Sequence, residues 1–471
     1  MPETVLYVPG FPSSHLDGPD GTRFYLNLLK FKSPLLLGPD NLVDDRVQPG
    51  EPIRETLKLP LLDLGKAAST LYEILDGIGC RTLSFGWDWR RPVWEDGAKF
   101  SAGFRLRAAV DEALKKAGGP FTLIAHSAGG LVVRALLEAD PEIARKLKRL
   151  ITFGVPWGGA VKSFEEVCGK GGIPVVVPPK RSQEILCRAW AAIDTLPPDT
   201  AASLGMTTRA GTGKVSPLVD TTWLAGLPAP ERTAVQPRVQ AAGQRLAGRS
   251  RTIELGGEAL EVVNVVGWGE ATADLANIKA NGSVDFFSRS AVDPNDKLGY
   301  EGGDGTAPRR SVAWLQPDAS VNVTTYHVPV GWLPETRSFP HATLWRNPGG
   351  RNLLRHLLGS APLEPFAYAA LDSGDTNAGS SATHVRVRAV ALDGTGGPLP
   401  GARLQTLDLP TGGQIDQPFN PANDGRHVMA VPLSRIRSMK SGTGRNYRLA
   451  VEITWPGGGS GKLAFGFFRN N

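Results

Sequence analysis

The chain has 471 residues, 41% hydrophobic and 21% charged, which excludes a disordered polymer and exceeds what one hydrophobic core normally supports. A large domain with a smaller one is expected. Lys and Arg exceed Asp and Glu by 52 to 46 with no dense basic run, so a nucleic-acid groove is excluded; a solvated surface is expected, with peripheral contact to an anionic membrane as the remaining cationic reading.

Nothing between Met1 and Lys30 has the basic start and apolar core of a secretory leader, and no run of about 18 apolar residues could span a membrane. A soluble, cytoplasmic protein is expected. Cys80, Cys168 and Cys187 fit no zinc spacing and are expected as reduced thiols, a bridge from Cys168 to Cys187 arising only on export.

In chain order, Thr4–Val8 is a short buried strand, followed by a helical pattern over Lys66–Asp76, a strand at Arg81–Phe85 and a helix at Phe104–Ala117. Phe121–Ala125, Gly130–Glu138 and Arg149–Phe153 continue as strand, helix and strand. This alternation predicts a mostly parallel sheet covered by helices through right-handed crossovers. From about Trp157 to Ala259, Gly, Pro and aromatic residues interrupt the pattern and predict an inserted cap. Leu260–Val266 and Ser320–Val328 resume the strands, and Leu344–Leu358 reads as the last helix. Residues 363–381, rich in Ala, Gly, Ser and Pro, read as a connector after a 1–362 catalytic domain. His384–Ala391, His427–Leu433 and Tyr447–Thr454 then predict a β-sandwich-like domain over 382–471.

Ala125-His126-Ser127-Ala128-Gly129 has the small-x-Ser-x-Gly form of a nucleophile elbow, in which tight backbone geometry excludes bulk two residues either side of the serine. The pattern recurs at Ala201-Ala202-Ser203-Leu204-Gly205, so it decides nothing alone. Only Ser127 joins an apolar strand to an amphipathic helix, and Ser203 follows Pro197 and Pro198 in a loop-like stretch. Ser127 is the expected nucleophile, and the expected architecture is an α/β-hydrolase fold with a cap and a small C-terminal β domain.

A serine hydroxyl needs a base, usually a histidine oriented by a carboxylate, and in this fold they follow the serine in the order acid, then histidine. That removes His15 and His126. His341, at a loop-to-helix position, is the preferred base; His327 inside an apparent strand is the alternative. Asp304, flanked by glycines in Gly302-Gly303-Asp304-Gly305, is the preferred acid, with Asp293 and Asp296 as rivals. The backbone N–H groups of Ala128 and of Phe11, in Val8-Pro9-Gly10-Phe11-Pro12, are the expected oxyanion donors. Trp87 and Trp157 are candidate substrate-binding residues, although core packing competes for them and for Trp89 and Trp94. Asp88 and Arg90 read as a structural pair. No metal or organic cofactor is expected.

Taken in order, Val8-Pro9-Gly10, Trp87-Asp88-Trp89-Arg90, the Ser127 pentapeptide, Gly154-Val155-Pro156-Trp157-Gly158-Gly159, Gly303-Asp304-Gly305-Thr306-Ala307-Pro308 with Ser311, and His341 resemble the lecithin:cholesterol acyltransferase-like lipases and phospholipases. The resemblance implies a triad of Ser127, Asp304 and His341, an oxyanion hole after Pro9-Gly10, a cap over an acyl pocket, and a lipid ester substrate. The β domain lies outside it, and either binds an unknown partner or stabilises the chain. A general carboxylesterase on smaller esters and a non-catalytic binding protein on the same scaffold are the competing expectations.

Overall fold

Six short runs far apart in the chain become one parallel sheet in the computed structural model. They are β1 (Thr4–Val8), β2 (Arg81–Ser84), β3 (Phe121–His126), β4 (Leu147–Phe153), β5 (Leu260–Trp268) and β6 (Val321–Pro329), arranged β2-β1-β3-β4-β5-β6. The structure describes residues 2–17, 48–53, 64–94, 102–170, 179–209, 213–268, 270, 272–288, 303–330, 341–359, 361–371, 382–394, 397–407, 409–410, 413–419, 426–441 and 444–470. Contacts divide the chain into two compact units, Met1–Gly331 with Glu335–Gly350, and Trp332–Pro334 with Arg351–Asn471.

Every residue of β1 and β3 is buried, as continuous apolar runs require when both sheet faces are covered. Helices α1 (Leu64–Ile78), α2 (Ala102–Ala117) and α3 (Ala128–Ala139) connect the early strands. Leu106, Val110 and Ala113, spaced four and three residues apart, form the buried stripe of α2. Helix α3 is buried nearly all round, Arg134 included. Its guanidinium is matched by Glu138 at 2.6 Å and by the carbonyls of Ser250 and Thr252. The register pairs Val8 with Ala125 and His126 with Phe153, so β1, β3 and β4 end together. The loops leaving these three strands therefore meet at one sheet edge.

Between β4 and β5 the chain leaves the sheet through helices Val161–Val167, Pro179–Leu186, Trp190–Asp194 and Ala229–Leu246. The insertion is larger than the sequence pattern indicated. Strands Ala273–Ile278 and Val284–Ser288, beyond β5, join Thr207–Arg209 and Gly213–Lys214 in a four-stranded sheet. Such short strands carry little pattern of their own; pairing across about 70 residues of chain defines them. The single helix expected at Leu344–Leu358 is two pieces, a 3₁₀ turn at His341–Arg346 and a helix at Pro348–Gly359. Pro348 starts the second piece, where its missing N–H goes unneeded, and Asn347 Oδ1 accepts from Gly349 N at 2.9 Å. Among the described residues no helix is long and apolar enough to cross a membrane.

The smaller unit contains a three-stranded antiparallel sheet, Phe366–Leu371, His384–Leu392 and Arg426–Pro432. A five-stranded sheet is built around Gly444–Trp455. Val385, Val387, Ala389, Leu404, Leu449, Val451 and Ile453 from both sheets share one core. The alternation seen in the sequence thus becomes two inner faces. Within the stretch read as a connector, Phe366–Leu371 forms a strand. Its Phe-Ala-Tyr-Ala-Ala-Leu stretch lacks β-branched residues, and pairing with His384–Leu392 makes it a strand.

Candidate active site

Ser127 lies at the turn between β3 and α3 with φ 52° and ψ −134°. A positive φ on a non-glycine residue costs roughly 1–3 kcal/mol and persists only where the surroundings impose it. Here Ser127 N donates to Phe153 O at 2.9 Å, and Gly130 N donates to Ser127 O at 3.0 Å. The Oγ is thereby lifted to the edge where β1, β3 and β4 end.

His341, on the 3₁₀ turn after β6, brings Nε2 to 2.8 Å from Ser127 Oγ and Nδ1 to 2.7 Å from Asp304 Oδ2. One tautomer satisfies both contacts: Nδ1–H donates to the carboxylate and Nε2 accepts from the hydroxyl. Asp304 is wholly buried, yet its Oδ1 accepts from Thr306 N at 3.1 Å and Ala307 N at 2.8 Å. The turn after Asp304 therefore supplies the solvation that burial removed. Gly154 holds φ +60° directly after β4, and a Cβ there would stand 2.9 Å from Asp304 Oδ2 and 3.0 Å from His341 Cε1. The site has no room for a side chain at that position.

His126 is a functional neighbour that the sequence reading discarded. Its ring lies 4.8 Å from the His341 ring and 5.1 Å, edge-on, from Trp345. Its Nε2–H donates to the His341 carbonyl at 2.9 Å. Burial, reinforced by His341, lowers its pKa to about 3, which keeps it neutral and its donor role fixed. Chain order removes it as a candidate base; only the contact across 215 positions reveals that it holds the His341 backbone.

The loop after β1 is beside the serine, since a Cβ on Gly10 would stand 2.6 Å from Ser127 Cβ. Ser13 N donates to Gly10 O at 2.9 Å, closing the turn that presents Phe11. The Phe11 ring packs edge-on against Trp89 at 5.3 Å. Ala128 opens α3 directly after Ser127.

The expectation that Trp87 and Trp157 form a substrate surface is revised. Trp87 is 1% exposed and its Nε1–H donates to Pro9 O at 2.8 Å, pinning the Phe11 loop from behind. Trp157 is 2% exposed and donates to Asn264 Oδ1 at 3.2 Å, while Asn264 Nδ2 donates to Val312 O. Both indoles are core supports because each buried N–H has a protein acceptor. Asp88 and Arg90 form a buried bidentate pair at 2.8 and 2.7 Å. Of the rivals, His327 lies within β6, Ser203 sits in the 3₁₀ turn Asp199–Leu204, and Asp293 and Asp296 lie outside the described residues.

Residues 69–207 match the family model described as lecithin:cholesterol acyltransferase. Over these residues the chain is similar to that family. The lysosomal phospholipase A and acyltransferase of Mus musculus is 32% identical over 155 residues, covering 30% of this chain and 36% of that protein. The Homo sapiens protein of the same name gives the same identity and coverage. The chain thus spans about a third of the length of the curated relatives it matches. Among solved structures, the mature lipase BlEst2 of Bacillus licheniformis is similar at 11% identity and a TM-score of 0.32, over 76% of this chain and 92% of that one. Phospholipase PlaB of Legionella pneumophila is similar at 11% identity and a TM-score of 0.27, over 99% and 90%. The lecithin:cholesterol acyltransferase-like segment contains Ser127 but ends before Asp304 and His341, whose relation to the serine rests on geometry.

Proposed function

We propose that the chain is a serine-dependent lipid acyl hydrolase or acyltransferase working through an acyl-enzyme on Ser127. The observation that carries this reading is the hydrogen-bonded chain from Ser127 Oγ through His341 to Asp304, at 2.8 and 2.7 Å. In this mechanism His341 Nε2 takes the serine proton as Oγ attacks an ester carbonyl, and Asp304 stabilises the imidazolium that forms. The N–H groups of Ala128 and Phe11 receive the developing oxyanion. His341 then returns the proton to the leaving alcohol. Water or a second alcohol, deprotonated by the same histidine, takes the acyl group and frees the serine. This chemistry requires no metal or organic cofactor.

A lipid substrate is favoured by the similarity of residues 69–207 to proteins named phospholipase A and acyltransferase. The reading assigns catalysis to residues 1–362, with the segment at about 157–259 as a cap over the acyl group. It extends to a reducing, cytoplasmic setting: Cys80, Cys168 and Cys187 are free, and burial raises Cys80 to about 11 and Cys187 to about 12, keeping these thiols protonated.

A phospholipid supplied with a long-chain alcohol tests the proposal. Release of fatty acid or transfer of acyl to the alcohol, absent in Ser127→Ala, is expected. Turnover of short soluble esters alone would replace the lipid reading with that of a general carboxylesterase, and no fluorophosphonate labelling of folded protein would remove catalysis altogether.

A further inference from the structure

Residues 382–471 contain 11 Lys and Arg against 5 Asp and Glu, and the rest of the chain contains 41 of each. The whole formal excess of +6 therefore lies in this stretch. Within it, strand Arg437–Ser441 pairs antiparallel with the first half of Gly444–Trp455, in a register that sets Arg437 opposite Arg448 and Lys440 opposite Arg445. Four exposed cations thus form two directly opposed like-charged pairs, with Cβ atoms about 5 Å apart. Such pairs destabilise a sheet unless anions share the space. Arg445 reaches Ser438 Oγ at 3.2 Å; Arg437, Lys440 and Arg448 make no ion pair among the described residues.

Met439 lies between these pairs and is 70% exposed, the most exposed large apolar side chain among the described residues. Strand alternation puts Met439 on the same face as Arg437 and Arg448, opposite to the face whose Leu449, Val451 and Ile453 enter the core. Acidic Glu452, farther along this outer face, is engaged by Lys462 at 3.6 Å and Gln405 at 2.8 Å. The hairpin end is left cationic with one apolar side chain at its centre.

We propose that this hairpin face, with Met439 beside the opposed pair Arg437 and Arg448, docks on an anionic lipid surface. Headgroup phosphates supply the missing counter-charges, and the thioether enters the boundary layer beneath them. A polyanion without an apolar layer would meet the arginines and leave Met439 in water. The surface belongs to the smaller unit and needs no residue of the Ser127 site.

Sedimentation of the full chain with vesicles of ether-linked phosphatidylcholine, with and without ether-linked phosphatidylglycerol, tests this, because ether lipids hold no ester to cleave. Binding is expected only to the anionic vesicles and should fall as salt rises. The double variant R437Q/R448Q should bind about thirty-fold more weakly, and Met439→Ser about ten-fold. The single variants R437Q and R448Q, each expected to bind about five-fold more weakly, repeat the test should the double variant fold poorly, and K440Q/R445Q on the other face should bind within about two-fold of the unaltered chain. Hydrolysis of a soluble ester by R437Q/R448Q at the unaltered rate is expected, and reports on the catalytic reading separately. Equal binding to neutral vesicles, binding indifferent to the Arg437 and Arg448 variants, or capture by heparin without vesicle binding would overturn the proposal.

Discussion

Two serines share the small-x-Ser-x-Gly pattern, and the backbone treats them differently. At Ser127 the positive φ of 52° falls on the serine itself, between a buried strand and a buried helix. At Asp199–Leu204 the chain turns through a 3₁₀ helix, and the positive φ falls on Gly205 at 64°, where no Cβ resists it. The same five-residue pattern therefore stores strain at the hydroxyl-bearing residue only where a sheet edge imposes it. An elbow is thus a property of its flanking elements, with the motif merely permitting it.

Replacement of the two serines breaks the comparison most directly. Ser127→Ala should lower kcat on the order of 10⁶-fold and abolish fluorophosphonate labelling, whereas Ser203→Ala should leave both within about two-fold; steady-state kinetics and probe labelling measure this. Next, Asp304→Asn should cost about 10⁴-fold in kcat, because the amide favours the wrong His341 tautomer, with little change in thermal midpoint. Gly154→Ala adds a Cβ against both Asp304 and His341 at a positive φ. A loss of about 100-fold in kcat together with about 1–3 kcal/mol of stability is expected, measured by kinetics and urea unfolding.

The smallest effect concerns His126. His126→Gln retains a donor near the Nε2 position and should stay within a few-fold of the unaltered rate, while His126→Phe keeps the ring but loses the bond and should fall about ten-fold in kcat with KM little changed. Its depressed pKa of about 3 also carries a pH signature. The unfolded chain binds a proton below about 6.5 that the native site refuses. Stability from this group is therefore fully present above about pH 6.5 and lost as pH falls toward 3, at about 1.4 kcal/mol per unit. Urea midpoints across that range should decline less steeply in His126→Gln. An identical decline in both proteins would detach His126 from this role.

Much of the larger unit was legible because burial on both sheet faces writes continuous apolar runs, as in Thr4–Val8 and Phe121–His126. Ser127, Asp304 and His341 were legible through order and local chemistry, since glycines around Asp304 and a proline before His341 mark loop positions. The inserted strands at Thr207–Arg209 and Ala273–Ile278 were not, because six residues or fewer paired at long range leave no periodic trace. Trp87 and Trp157 misled for a related reason: an indole suits both an interface and a core, and only its acceptor distinguishes them.

The sequence by itself determined which elements alternate and which serine joins a strand to a helix, and it made Asp304 and His341 the preferred acid and histidine after it. Tertiary structure alone decided that His126 braces His341, that Gly154 must lack a side chain, and that like-charged residues face each other across the Arg437–Ser441 hairpin. The reason is distance along the chain. Periodicity and capping act within a few residues, whereas a hydrogen bond between positions 126 and 341 exists only once the sheet has brought two strand ends together.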